Sequence, residues 1–300
     1  MQRRKFLRNA TLATGGLLLA QKELLASIWQ QPGFKITMLA DDTGIFTEKG
    51  GTILFVLGKE GIITVDSQFP EQSQHLIDEL KKKSDKPFKL LINTHHHADH
   101  SSGNISFKGL VENVLAHENS LKNQKAVAIA NKNEDKQLYP NNTYGSVWNT
   151  KEGGVKYTLH YFGAGHTNGD SFVQFEKHDI VHTGDLVFNR RHPFVDRTAG
   201  ANIKSWIEVL DKGLAKFDKK TTYVFGHAAD GYNVTGTRDD VKAFQTYLSN
   251  LLDYTDKQIK AGKTKEDILK TTEIPGSPEW KGDGIQRPLT AAYEELTSAS

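Results

Sequence analysis

The chain of 300 residues contains no cysteine. Disulfide frameworks, thiolate metal sites and thiol nucleophiles are therefore excluded, and any metal must be held by nitrogen and oxygen ligands. Such a chain is indifferent to the redox state of its compartment. Runs of one charge are also scarce. The formal net charge is +2, but residues 1–26 hold Arg3, Arg4, Lys5, Arg8 and Lys22 against Glu23 alone, a net of +4. The remainder carries 33 basic and 35 acidic side chains and nets −2. No long Lys/Arg-rich stretch is left to follow a phosphate backbone, so no nucleic-acid partner is expected. Low-complexity tracts, short-period repeats and a linker between domains are missing too. A chain with 37% hydrophobic and 25% charged residues nonetheless has ample material for a large core.

The N-terminus reads as an address. Arg3-Arg4-Lys5-Phe6-Leu7-Arg8 is a charged head, and the uncharged stretch from Asn9 to Gln21 is too short to span a bilayer. Residues 1–26 are thus expected to be a signal peptide, with Ala20 and Ala26 as alternative cleavage points. The paired arginines followed by Phe6-Leu7 resemble the twin-arginine type, which exports folded proteins. A bacterial periplasmic location is the expectation, with no transmembrane span in the mature protein and its oligomeric state left open.

Residues 27–300 read as a single mixed α/β domain, because short apolar runs alternate with helical patterns. Phe34–Ala40, Thr52–Leu57 and Ile62–Asp66 read as strands with an antiparallel start. Pro70 opens a helix to about Lys83, and Phe88–Asn93 is a buried-looking strand. A second cycle follows: Leu110–Ala116 as strand, Glu118–Ala130 as helix, and a polar, loop-like stretch from Asn131 to Gly154. Val155–Tyr161, Ser171–Phe175, Asp179–Thr183 and Thr222–Phe225 read as strands, with a helix over Asn202–Phe217. After about residue 237 a helical extension begins, its first helix running from Arg238 to Ala261 and packing on a sheet.

Straight after the Phe88–Asn93 strand comes Thr94-His95-His96-His97-Ala98-Asp99-His100. In extended chain His95 and His97 project to one side and can share a metal ion. Asp99 and His100 lie where the chain should turn into a helix, which can aim them at a neighbouring point. Packing does not explain four potential ligands in six residues. Three more polar groups sit in glycine-containing turns beside apolar strands: His166 in Gly165-His166-Thr167, Asp185 in Gly184-Asp185 and His227 in Gly226-His227. His96 should point away from its neighbours. His117, His160 and His182 suit structural hydrogen bonds, and His75, His178 and His192 suit the surface. Asn189, Arg190 and Phe194 follow Asp185 closely and are expected to line a substrate pocket.

From about Thr37 to His227, with these motifs in order, the chain resembles the metallo-β-lactamase superfamily. The resemblance implies a four-layer αββα sandwich with its site at one edge of two facing sheets. It implies two metal ions, zinc before iron or manganese. His95, His97 and His166 would bind the first, Asp99, His100 and His227 the second, and Asp185 would bridge them. Asp66 matches an aspartate that supports the site from behind, although a turn-capping role fits it as well. The implied chemistry is attack by a hydroxide shared between the metals, with Asp99 orienting it as well as binding metal. Family members cleave many bonds, and the fold alone does not choose among them. The main zinc β-lactamases of this type carry cysteine or serine where this chain has Asp185, so β-lactam turnover is expected to be weak. The expectation is an exported hydrolase of a small ester, lactone, thioester or amide. A low-efficiency β-lactamase, a metal-binding protein without catalysis and an iron-dependent oxygenase-like protein are the alternatives.

Overall fold

Apolar runs bounded by glycine become strands here, as their length and β-branched content favour. In the computed structural model, which describes residues 33–298, the chain opens with β1 (Lys35–Met38), β2 (Thr43–Thr47), β3 (Ile53–Leu57) and β4 (Ile62–Val65). β2, β3 and β4 are antiparallel neighbours. Helix α1 (Pro70–Lys83) follows, with Pro70 in its first turn and Lys81, Lys82 and Lys83 in its last, where they complement the helix dipole. Its buried Leu76, Ile77 and Leu80 form one stripe. The helix crosses to β5 (Phe88–Asn93), parallel to β4. After the short helix α2 (Ala98–Ser101) come β6 (Val111–His117), α3 (Glu118–Asn131) and β7 (Asn142–Tyr144). These complete a seven-stranded sheet in the order β1 to β7.

The second half contributes β8 (Val147–Glu152), β9 (Val155–His160), β10 (Phe172–Phe175), β11 (Ile180–His182), β12 (Phe188–Asn189), helix α4 (Ile203–Lys216), β13 (Thr222–Val224), β14 (His227–Ala228) and β15 (Thr235–Gly236). Six of these strands form a sheet in the order β15-β13-β11-β10-β9-β8, while β12 and β14 pair separately. Helices α5 (Arg238–Lys260), α6 (Lys265–Ile268) and α7 (Gln286–Thr297) close the chain. Everything from Ile36 onward belongs to one unit. The signal peptide expected at 1–26 lies outside the described residues.

Leu54, Val56, Ile63, Val65 and Ile92 of the first sheet meet Tyr157, Leu159, Val173, Phe175 and Val224 of the second in one buried cluster. A second cluster joins Phe172 and Val181 to Trp206, Phe244, Tyr247 and Trp280 on the outer side. Helices thus cover two facing sheets, and the αββα sandwich is present. Each large apolar side chain buried this way contributes about 1.5–3 kcal/mol relative to exposure.

Several elements differ from the sequence reading. β2 is a strand in the stretch between Phe34–Ala40 and Thr52–Leu57, where the sequence reading assigns none. Gly44 is there because strands pack closely, and a Cβ on it would come within 2.6 Å of the Phe55 ring. The polar stretch 131–154 contains β7 and β8. β8 is the last strand of its sheet and alternates exposed and half-buried positions, so polar residues suit it. Helix α5 packs mainly on α4 and α7, meeting strands chiefly at β12 and β15. Among the described residues no helix is long and apolar enough to cross a membrane.

Candidate metal centre

The C-terminal ends of strands deliver most of the site, the usual place for ligands on such sheets. β5 ends at Asn93 and hands over to His95, His97, Asp99 and His100; β11 leads to Asp185, and β13 to His227. Extended backbone at His97 followed by α2 makes the turn that separates the first two histidines from the last two ligands. His166 comes from the connection between β9 and β10 and is buried between Phe188 and Trp206, with ring centroids 5.6 Å from each. Gly226 permits the tightest approach: a Cβ there would stand 1.9 Å from Asp185 Oδ1.

Two groups of ligand atoms result. His97 Nδ1 lies 3.1 Å from His95 Nε2 and 2.8 Å from His166 Nε2, with Asp185 Oδ2 4.0 Å from His95 Nε2 and 3.6 Å from His166 Nε2. Asp99 Oδ2 lies 3.1 Å from His227 Nε2 and 3.8 Å from His100 Nε2. Asp185 joins the groups, its Oδ1 lying 3.1 Å from His100 Nε2 and its Oδ2 3.5 Å from His227 Nε2. All seven expected ligands are therefore brought together in the two sets the resemblance implies, with Asp185 between them.

The outer nitrogens decide whether a cation fits. His97 Nε2 faces Asp196 Oδ2 at 2.9 Å, His166 Nδ1 faces the Phe194 carbonyl at 2.8 Å, and His100 Nδ1 faces Asp66 Oδ2 at 2.7 Å. His95 Nδ1 lies 3.1 Å from Thr94 Oγ1, whose own proton goes to Asp66 Oδ2. Four imidazoles thus donate outward to acceptors, which leaves their lone pairs converging on the inside. Burial, reinforced by the neighbouring imidazoles, lowers His95 well below its usual range and His166 to about 3, so both stay neutral as ligands must. Burial would raise Asp99 and Asp185, but the surrounding histidines outweigh it, holding Asp99 at about 2 and Asp185 well below the usual carboxylate range. At His100 the carboxylates of Asp185, Asp66 and Asp99 outweigh burial and raise it well above its usual range, so that without a cation its inner nitrogen holds a proton that a bound cation would replace. Asp185 Oδ1 is buried and, apart from the approach of His100 Nε2, has no hydrogen-bond partner. Converging lone pairs, a buried carboxylate oxygen and a surplus of negative charge are what divalent cations satisfy.

Asp66 is buried at φ 66°, and it accepts from the Thr94 amide and hydroxyl as well as facing His100. It supports a ligand and ties down the Thr94–His95 corner at once. Asp196 does the same for His97, and sequence reasoning missed it. Its Oδ1 accepts from the Thr198 amide, the Thr198 hydroxyl and the Ala199 amide, while its Oδ2 also lies 3.5 Å from His96 Nε2. No motif marks it, since 99 residues separate it from His97. His117, His160 and His182 hold the Gly145 carbonyl, Gln174 and the Thr52 carbonyl respectively.

A cavity of about 360 Å³ opens over the ligands, lined by Phe188, Phe194, Arg191, His192 and Arg287 together with Asp99, Asp185 and His227. Of the three residues expected to line it, only Phe194 does. Asn189 is buried and donates to the Asn233 carbonyl. Arg190, at φ 55°, turns away to pair with Asp240 at 2.6 Å and lies over the Trp280 ring. His192 is not a surface residue: its Nδ1 meets the buried Tyr247 hydroxyl at 2.9 Å.

The fold agrees with that of known proteins. The chain is 26% identical over 194 residues to Metallo-beta-lactamase IND-1 of Chryseobacterium indologenes, covering 61% of this chain and 75% of that one. It is 28% identical over 173 residues to Metallo-beta-lactamase type 2 of Bacillus cereus, covering 57% and 64%. In structure it is similar to a metallo-β-lactamase from Pontibacter korlensis, with a TM-score of 0.60 and 22% identity over 72% of this chain and 99% of that chain. It is also similar to the sec-alkylsulfatase Pisa1 from Pseudomonas sp., with a TM-score of 0.71 and 14% identity over 87% of this chain and 50% of that one. These two structural likenesses concern the fold alone. The sequence profile of the metallo-β-lactamase superfamily matches residues 42–244, and the chain belongs to that superfamily.

Proposed function

We propose that this protein is a hydrolase that uses two metal ions, zinc in the first instance, to cleave an ester, lactone, thioester or amide in a small molecule. The observation that carries the reading is the inward convergence of the imidazole lone pairs around Asp185. His95, His97 and His166 would hold one ion, Asp99, His100 and His227 the other, with Asp185 shared. When bound, the ions would supply an activated water and an electrophile for the oxygen that gains charge. Asp99, held ionised at about 2 against its burial by His100 and His227, offers Oδ2 as a proton acceptor and orients the attacking water at the cavity floor. Phe188, stacked on His227 at 5.6 Å, and Phe194, 5.4 Å from His97, form apolar walls that keep bulk water off the reacting bond.

The curated relatives named above favour a second reading, hydrolysis of β-lactams. Turnover of lactones, aryl esters, thioesters and a chromogenic β-lactam by metal-verified protein separates the two. The first reading expects hydrolysis of an ester, lactone, thioester or amide that exceeds that of the β-lactam and is abolished by His97→Ala. Activity that survives His97→Ala would remove both readings. Export through the twin-arginine route is part of the proposal and rests on Arg3-Arg4. Changing both to Lys should leave the protein in the cytoplasm on fractionation, and normal export of that variant would refute the route.

A further inference from the structure

Five arginines lie among the described residues. Three have partners: Arg190 pairs with Asp240 and Glu279, Arg197 with Glu295, and Arg238 donates to the Leu214 carbonyl. Arg191 and Arg287 have no ion-pair or hydrogen-bond partner for their guanidinium groups among the described residues. Both line the cavity over the metal-binding side chains. A single exposed arginine means little, since most are simply hydrated. Here the two without partners are the two at the cavity, and they reach it from unrelated parts of the chain.

Arg191 is delivered by the loop after β12. Its neighbour Arg190 anchors that loop by lying over the Trp280 and Tyr232 rings, 5.4 and 5.7 Å from their centroids, so the two consecutive side chains diverge. Arg287 stands in the first turn of α7, beyond residue 244 where the match to the superfamily ends. The acids on the cavity floor do not neutralise either one, because Asp99 and Asp185 face His100 and His227. Arg191 also borders an adjoining groove of about 700 Å³ lined by Tyr232 and Lys281 and by the acids Asp230, Glu279 and Asp283, so it stands where the reaction cavity meets that groove.

We propose that Arg191 and Arg287 form a clamp for an oxyanion carried by the substrate, which makes the preferred substrate an ester or amide with a carboxylate-type group beyond the bond that is cleaved. A guanidinium presents a planar fork of donors that matches such an anion, and its charge is permanent. Apolar walls at Phe188 and Phe194 would contact the part of the substrate between the scissile bond and the anion. The inference rests on reading the cavity as a site of hydrolysis.

The test compares kcat/KM of the metal-loaded protein for 4-nitrophenyl butyrate and for the mono-4-nitrophenyl ester of glutaric acid. The parent should favour the glutarate ester at least tenfold, equivalent to about 1.4 kcal/mol, and less so at high salt. Arg191→Gln and Arg287→Gln should each reduce that ratio, the double variant should bring it to about one, and Arg→Lys should restore part of it. Metal content should equal the parent's throughout, which separates loss of the clamp from damage to the centre. A parent with no preference, or a double variant that keeps it, overturns the clamp. If neither ester is hydrolysed, glutarate binding by calorimetry decides. Binding lost in the double variant would retain the clamp and count only against hydrolysis of aryl esters. Equal binding by both proteins, or none, would overturn the clamp.

Discussion

Replacing Asp196 with Asn probes the support of the first metal group without touching a ligand. Asp196 divides its two oxygens between tasks. Oδ1 accepts from the Thr198 amide at 3.1 Å, the Thr198 hydroxyl at 2.5 Å and the Ala199 amide at 3.1 Å, and Oδ2 accepts from His97 Nε2 at 2.9 Å. An Asn that keeps its oxygen toward the three turn donors presents its NH2 to His97, donor against donor. The imidazole escapes by moving its proton to Nδ1, the atom that faces His95 and His166, and so loses the lone pair a metal needs. An Asn flipped the other way satisfies His97 but leaves two amides and a hydroxyl facing an NH2. Either arrangement disturbs His97, and loss of such a support lowers metal affinity by about 10- to 100-fold, or about 1.4–2.7 kcal/mol. Competition with a chromophoric chelator reads this for each equivalent. The His95, His97 and His166 group should weaken more than the Asp99, His100 and His227 group. Parental affinity for both equivalents in Asp196→Asn would refute the reasoning.

Three further outcomes follow from packing and charge. Gly226→Ala places a methyl where Asp185 Oδ1 stands, so Asp185 must move; turnover should fall by roughly 100-fold with the fold retained by circular dichroism, and parental kinetics would contradict the close packing. Trp206→Ala empties a fully buried site and leaves the Leu186 carbonyl without its donor; chemical denaturation should show a loss of about 3–5 kcal/mol, and a loss under 1 kcal/mol would mean that α4 does not depend on this ring. Asp42 links the two sheets through Lys177 at 2.5 Å and His178 at 2.6 Å. Burial would raise its carboxyl, but Lys177, Thr43 and His178 outweigh it and lower it. A depressed folded value stabilises above the unfolded pKa and is lost as pH falls through the folded one. Asp42→Asn should therefore be less stable than the parent at pH 6 and converge with it in acid below the usual carboxylate range; a stability gap independent of pH would exclude the charge as its source.

Much of the centre is legible in the sequence because its ligands come in short local patterns. His95, His97, Asp99 and His100 fall within six residues, and a buried strand before them sets their direction. His166, Asp185 and His227 are each marked by a neighbouring glycine. What supports and surrounds them is not local. Asp196 reaches His97 from a turn with no distinctive pattern, and Arg287 enters the cavity from the last described helix. Arg190 and Arg191 are indistinguishable as neighbours in sequence, yet a left-handed backbone at Arg190 sends the first to Asp240 and leaves the second at the cavity. The strands follow the same rule. β3, β4 and β5 are apolar runs and easily seen, whereas β8 is a polar edge strand whose pairing with β9 exists only in the folded sheet.

A bridged pair of metal ions underlies the proposed chemistry, and metal stoichiometry reads it without any assumption about substrate. Two dications about 4 Å apart repel by roughly 16 kcal/mol at an effective dielectric near 20, so an anion between them matters greatly. Asp185 is the carboxylate that approaches both groups. Elemental analysis of the purified protein, grown with ample zinc, should give two equivalents, and titration of Asp185→Asn should give one tight equivalent and one much weaker. One equivalent or less in the parent, or two equally tight equivalents in Asp185→Asn, would contradict the account.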